Sequence, residues 1–262
     1  MKTISKTMTL AILLLATMVI GCKNEDGDAI SPSKLMEGVI YVTLQDSSSA
    51  VGVVDLGLST SSTRKLWAIC NIGASTPEGL GTTFAWGETN ARDKDRYDRD
   101  SYSWYINGEQ ENISKYNTDR NWGHKDSLSV LEPCDDPATV LYGEKWKTPS
   151  KRDYQELLKH CTRTWGTVNG VWGCMLTSTE NGNSIFFPLT GVVDTKHNST
   201  VTNLTNYGFY WTRELNTSRP NEANTLWIKI EGDISDITPI ATMDRERGLK
   251  VRAIISRADA IQ

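Results

Sequence analysis

The apolar positions of this 262-residue chain fall mostly into short runs bounded by turn residues, the pattern of β-strands. Val39–Leu44, Val51–Leu58 and Lys65–Ile72 read as strands, the last two flanking Ser59–Thr63. Thr82–Gly87 reads as extended and aromatic. Thr162–Thr177 reads as a hairpin turning at Asn169-Gly170, because both central residues of a type I′ turn need positive φ. That turn sets Trp165 opposite Cys174 and Thr167 opposite Trp172. Asn183–Val193, interrupted by Pro188, then Gly208–Thr212, Thr225–Ile230 and Lys250–Ser256 complete about eight predicted strands. One segment has a helical period: Tyr154, Leu157, Leu158 and Cys161 form a single apolar stripe, so the main helix is expected over about 150–161. Its start is signalled by Ser150 with Asp153 three residues on, or by Thr148 with Pro149 in the first turn. Asp136 before Pro137 predicts a second, short helix. Strands dominate and loops are long, which indicates an α+β fold rather than a parallel α/β one.

The N-terminus has a different pattern. Lys2 and Lys6 precede the apolar run Leu10–Ile20, which is too short to span a bilayer core of about 30 Å as a helix. It ends in Val19-Ile20-Gly21-Cys22, which resembles the bacterial lipobox. Residues 1–21 are therefore expected to be a lipoprotein signal peptide, with Cys22 the lipidation site and the contact with the membrane. Several acyl chains hold a protein on a bilayer far better than one. The following Lys-Asn-Glu-Asp-Gly-Asp resembles a surface-export signal, so the expected address is the outer membrane, lipid-anchored and facing outward. Residues 22–38 read as a tether.

Removing residues 1–21 takes Lys2 and Lys6 away and leaves 26 basic against 32 acidic residues, a balance of −6. Nucleic acid and a polybasic membrane contact both need a basic stripe, and neither is expected. With Cys22 lipidated, Cys70, Cys134, Cys161 and Cys174 remain. Four cysteines allow three connectivities. The hairpin register puts Cys161 beyond Cys174, so the candidate pairing is Cys70 with Cys161, with Cys134 and Cys174 left open. His124, His160 and His197 lie far apart and no Cys-x-x-Cys occurs, so no metal or other cofactor is expected. Asp93, Asp95, Asp98 and Asp100 lack the spacing of a calcium loop and are offset by Lys94, Arg96 and Arg99.

Many segments occur in an order that resembles a known family. They begin with Val54-Asp55-Leu56-Gly57-Leu58, Leu66-Trp67-Ala68-Ile69-Cys70-Asn71-Ile72-Gly73-Ala74 and Phe84-Ala85-Trp86-Gly87-Glu88. Ile113-Ser114-Lys115-Tyr116-Asn117, Leu131-Glu132-Pro133 and Trp146-Lys147-Thr148-Pro149-Ser150 follow. Ile185-Phe186-Phe187-Pro188, Tyr210-Trp211-Thr212 and Val251-Arg252 close the set. The set is similar to the Fibrobacter succinogenes major paralogous domain, abundant in surface lipoproteins of Bacteroidetes. The resemblance spans about 54–257, with 39–53 an extra strand region and 258–262 a tail. It implies a C-type-lectin-like fold. Ile69, Lys147 and Cys134 depart from the usual family residues.

Fold does not imply function, so each inherited activity has to be found in residues. A copper oxidase of the formylglycine-generating kind needs paired thiols near the C-terminus, and no cysteine follows Cys174. Of a calcium-dependent sugar site only Pro220-Asn221-Glu222 is present. No Gly-x-Ser-x-Gly occurs. The chain is therefore not expected to be an enzyme. Its nine tryptophans and nine tyrosines point to binding. Trp67, Trp86, Trp146 and Trp211 lie in strands or family segments and are expected in the core. The polar stretch Glu88–Asn121 reads as a long surface insertion. Trp104 and Tyr105 within it, with Trp122 just after, are the candidate ligand-binding residues; the same rings could instead pin the loop to the domain. The expected function is a non-enzymatic, lectin-like module for a glycan or protein ligand. The alternative is a structural or assembly component of a surface complex, fimbria-like or serving nutrient uptake.

Overall fold

The computed structural model describes residues 29–44, 49–58, 64–92, 97–193, 206–231 and 234–261. Cys22, the expected signal peptide, the acidic start of the tether, Asp93, Asp95 and His197 lie outside them. In chain order the regular elements are β1 (Val39–Thr43), β2 (Ala50–Asp55), β3 (Lys65–Ala68), α1 (Pro137–Tyr142), β4 (Trp146–Lys147) and α2 (Lys151–Lys159). Then come β5 (Cys161–Val168), β6 (Val171–Ser178), β7 (Ser184–Pro188), β8 (Tyr207–Leu215), β9 (Glu222–Glu231), β10 (Ile234–Asp244), β11 (Ile254–Ser256) and α3 (Arg257–Ala260). The described residues are mostly β, with three small helices, and are α+β in kind. They form three antiparallel sheets, in the orders β1-β2-β3-β11-β4, β5-β6-β7 and β10-β9-β8.

Alternation explains how these sheets pack. Val54, Trp67 and Ile254 are cross-strand neighbours and share one face of the five-stranded sheet; Leu66, Ile255 and Trp146 share the other. The first face joins Tyr154 and Leu157 of α2, Leu176, Phe187, Tyr210 and Leu226 in a cluster where all three sheets meet. The second joins Phe84, Trp86, Phe209, Trp211 and Leu215. Trp67, Trp86, Trp146 and Trp211 are all buried, as their positions predict.

Local signals decide the element ends. Asp136 caps α1, accepting from the Ala138 amide, and Pro137 takes the first turn. Ser150 and Asp153 form a reciprocal capping box at α2. The helix stops at Lys159, not at 161 as the apolar stripe suggests. His160 leaves the helical region, and Cys161 opens β5 opposite Ser178. The β5–β6 hairpin has the expected register, Trp165 opposite Cys174 and Thr167 opposite Trp172. Asn169 and Gly170 both have positive φ, 48° and 81°, as the turn requires.

The described residues form eleven strands where about eight are expected. The largest addition is β10, whose sequence mixes polar residues with Pro239. It lies at the edge of its sheet, and its register slips by one residue between Thr238 and Ala241, where the proline stands. An edge position and a bulge are the places a strand tolerates proline. The extra strand region is not separate: β1 pairs with β2 along its full length, inside the largest sheet.

Two buried cations are held by hydrogen bonds in the interior. Arg252 is wholly buried, and no carboxylate pairs with it among the described residues. Its Nε donates to Asn71 Oδ1 (2.9 Å), one Nη to the Ile69 and Ala68 carbonyls (2.6 and 3.3 Å), and the other to the Phe186 carbonyl (3.0 Å). The guanidinium lies 4.7 Å from the Phe187 ring centre. One side chain thus ties the end of β3 to β7. Lys250 is also buried, and its Nζ donates to the Gly81 carbonyl (2.9 Å) and Thr83 Oγ1 (2.6 Å). Burial brings its pKa down to about 8.

Replacing Arg252 with Met leaves three inward-facing carbonyls without a donor. The expected loss of unfolding free energy is about 3 kcal/mol or more, read from urea melts. Arg252→Lys should recover little, since an ammonium cannot reproduce the planar fork. Lys250 makes a pH prediction. Between pH 8 and its ordinary value of about 10.4 the unfolded chain keeps a proton that the folded chain has released, so stability rises with pH there. Relative to Lys250→Met, the parent should gain about 1.4 kcal/mol per pH unit across this window. A difference that does not change with pH would mean that Lys250 stays charged when folded.

Candidate binding cleft

The stretch from Glu88 to Trp122 carries its own small aromatic core. Tyr97, Tyr102, Tyr105 and Ile113 are buried together, with Trp104 and Trp122 half-buried against them. The three residues singled out in the sequence therefore face inward. Tyr105 donates its hydroxyl to the Asn221 carbonyl (3.2 Å) and to Glu246 (3.1 Å). Trp104 Nε1 donates to the Gly87 carbonyl, and its ring packs edge-on to Tyr116. Lys115 Nζ lies 5.2 Å from the centre of the same ring. Their positions are those of residues that pin a loop to a domain.

Arg245 completes the pinning. It is fully buried among Trp86, Tyr102 and Tyr116, with its guanidinium carbon 4.9 Å from the Trp86 ring centre. Its donors reach Tyr102 Oη and the carbonyls of Tyr116, Pro220 and Lys115 at 2.9–3.1 Å. Burial pushes the Tyr102 and Tyr105 hydroxyls well above the ordinary tyrosine range, so both stay protonated donors.

Glu132, Cys134 and Asp135 bring three metal-ligating groups within reach of one another. Lys115 already stands between the two carboxylates, its Nζ 2.6 Å from Glu132 Oε2 and 2.6 Å from Asp135 Oδ2. Burial pulls its pKa down, but the bonds to Asp135 and Glu132 outweigh that and hold it above the ordinary lysine value. The ammonium does there what a cation would do.

A cleft opens elsewhere, on the second face of the five-stranded sheet. It measures about 570 Å³, within the range of small-ligand sites. One wall is β1, where Val42 faces the cleft; the exposed ring of Tyr41 lies on the other face of the strand, over Gly52 and Ile69. The opposite wall is the turn after α1, with Tyr142 packed edge-on to the buried Trp146. Ile255 and Val42 supply apolar floor; Glu144, Lys145 and Asp259 supply polar groups. Burial raises the Tyr142 hydroxyl above its ordinary pKa.

Beside this cleft is an alcove of about 190 Å³ that shares Lys145, Ile255 and Asp259 with it. Four cations line the alcove: Lys65, Lys145, Lys147 and Arg213. Lys65 is paired with Asp153, and Lys145 lies 3.9 Å from Asp259. Lys147 is exposed. Arg213 stands near the end of β8 and is held by its backbone, its amide donating to Pro149 and its carbonyl accepting from Leu131. Its Nε is buried without a hydrogen-bond partner.

None of the cleft's aromatic residues was a candidate by sequence. Tyr41 lies in the extra strand region and Tyr142 at a helix end, and only the order β1-β2-β3-β11-β4 brings their neighbourhoods together.

The structure also corrects the proposed Cys70–Cys161 bond: all four described cysteines are free thiols. Cys70 is half-buried near Arg252 and Glu78, whereas Cys161 starts β5 and packs in the central cluster with Cys174. No family model, no curated protein and no solved structure matches this chain.

The thiols give a direct check. Burial pushes Cys161 and Cys174 up to about 12, and raises Cys70 less far. In a Cys22→Ser chain at pH 8, exposed Cys134 should react with a chromogenic disulfide reagent at once and Cys70 slowly. Cys161 and Cys174 should react only in denaturant. Thiols that need a reductant before they titrate would show that a bond forms after all.

Proposed function

We propose that this chain is an outward-facing lipoprotein of the outer membrane, anchored through Cys22. On this reading its domain is a C-type-lectin-like module of the Fibrobacter succinogenes major paralogous kind. It binds a glycan and carries out no chemistry on it. The observation that carries the binding role is the cleft between β1 and the turn after α1. It joins an apolar floor of Val42 and Ile255 and the half-buried Tyr142 to a rim of carboxylate and ammonium groups from Glu144, Lys145 and Asp259. Sugars present just these two surfaces, an apolar ring face and a fringe of hydroxyls. The aromatic residues of the insertion take no part; they serve the fold.

A second reading, an assembly component, is favoured by one observation. β1 is the outermost strand of its sheet, and Ile40 and Tyr41 on it are exposed. An open edge of this kind can accept a partner's strand.

A glycan array probed with the purified full chain separates the two. The glycan reading predicts saturable binding to one class, reduced about tenfold or more by Tyr142→Ala, the loss of the cleft's aromatic wall. Trp104→Ala should lower thermal stability while the folded fraction binds as before. No binding to any glycan, together with a stoichiometric protein partner from the outer membrane, would replace the first reading by the second.

A further inference from the structure

We propose that the Asn169-Gly170 tip of the β5–β6 hairpin is the end of the domain that meets the membrane, with the Trp172 side chain in the headgroup layer of the bilayer. This rests on the lipid anchor at Cys22 proposed above and adds which surface that anchor brings to the lipid.

The inference begins with where the N-terminal segment joins the domain. Ala29 forms a parallel bridge with Thr167, and the Ile30 amide donates to the Thr167 carbonyl (2.8 Å). The segment then crosses the β5-β6-β7 sheet on the face turned away from the central cluster. Ile30 and Leu35 are buried there with Val168 and Phe186, and Pro32–Met36 forms a short 3₁₀ helix. It reaches the other end of that sheet at Gly38, where a side chain would collide with Asn183. From Ala29 onward, then, the chain is docked. Between Cys22 and Ala29 there are seven residue steps, which span about 25 Å at full extension.

This short reach holds one end of the sheet near the lipid. Thr167 lies two residues before Asn169, and its cross-strand partner is Trp172. Glu180, in the turn between β6 and β7, is at the other end of the same eight-residue strands, roughly 25 Å away at about 3.3 Å per residue. Trp172 is also the most exposed of the nine tryptophans, at 37 %. An indole has an apolar body and an N–H donor, and it is suited to the headgroup layer, where one side is apolar and the other wet. The loop that carries exposed Leu80 is tied to the same tip, Asn169 Nδ2 donating to Glu78 Oε1 (2.7 Å). The exposed tryptophan and the entry point of the anchored segment thus coincide at one end of one sheet.

The test uses the full lipidated chain in phosphatidylcholine vesicles. Lipids brominated close to the headgroup should quench part of the tryptophan emission, and Trp172→Phe should lose most of that quenching. A second measurement reads orientation. With the exposed thiol removed by Cys134→Ser, a dye is attached briefly at Asn169→Cys or at Glu180→Cys, both exposed turn positions outside the core. Energy transfer to a headgroup acceptor should be about twofold or more stronger from position 169, given the separation along the sheet. The proposal is overturned, with the anchor left standing, by no quenching, by quenching that Trp172→Phe leaves unchanged, or by transfer that is equal or stronger from position 180. A parent chain that carries no lipid and stays in solution overturns the anchor and this proposal together.

Discussion

The fold depends on how a guanidinium is accommodated where no water reaches. Arg252 has no carboxylate partner among the described residues; four oxygen acceptors from β3, the turn after it and β7 surround it instead. An unpaired buried charge is costly, and the cost is met only if every donor finds an acceptor at once. That condition ties the geometry of two sheets to one side chain. Arg245 imposes the same condition on the insertion, whose carbonyls at Lys115 and Tyr116 are needed to complete its shell. The two arginines act as cross-links made of hydrogen bonds, and they fix distances that apolar contacts alone would leave adjustable.

With the interior set in this way, exposed aromatic and charged groups are left at the rim of the largest sheet. The insertion is rich in aromatic rings and lies at the surface, but Arg245 and Lys115 draw its rings inward. The first strand and the turn after α1 have no such anchor. Tyr41 is therefore left with its face to solvent, and Arg213 keeps a buried Nε that no group among the described residues accepts from.

Short-range signals were readable in the sequence. The Asn169-Gly170 turn, the Ser150–Asp153 box, the Asp136 cap and the burial of four tryptophans all depend on contacts within a few residues or on strict alternation. What escaped the reading depends on distant pairing. β10 was hidden because Pro239 is compatible with a strand only at an edge, and edge position is a property of the finished sheet. Trp104, Tyr105 and Trp122 pack with Tyr97, Tyr102 and Ile113, and Tyr105 bonds to Asn221 and Glu246, more than a hundred residues later in the chain. The cleft is of the same kind: its walls come from residues 41–43, 142–146 and 255–260.

β11 sits between β3 and β4 in the five-stranded sheet, although nearly two hundred residues separate β3 from it. β4 has no other neighbour in that sheet, and the Lys250–Ala253 segment just before β11 also bonds to β8 and to the Ala68–Ile72 region. Strand placement of this kind makes folding wait for synthesis. Until the last of these residues leaves the ribosome, β4 has no partner and both interior clusters lack a wall, so the nascent chain gains little by closing early. The joining of β4 to the sheet and the closing of both clusters are therefore the last steps open to the chain.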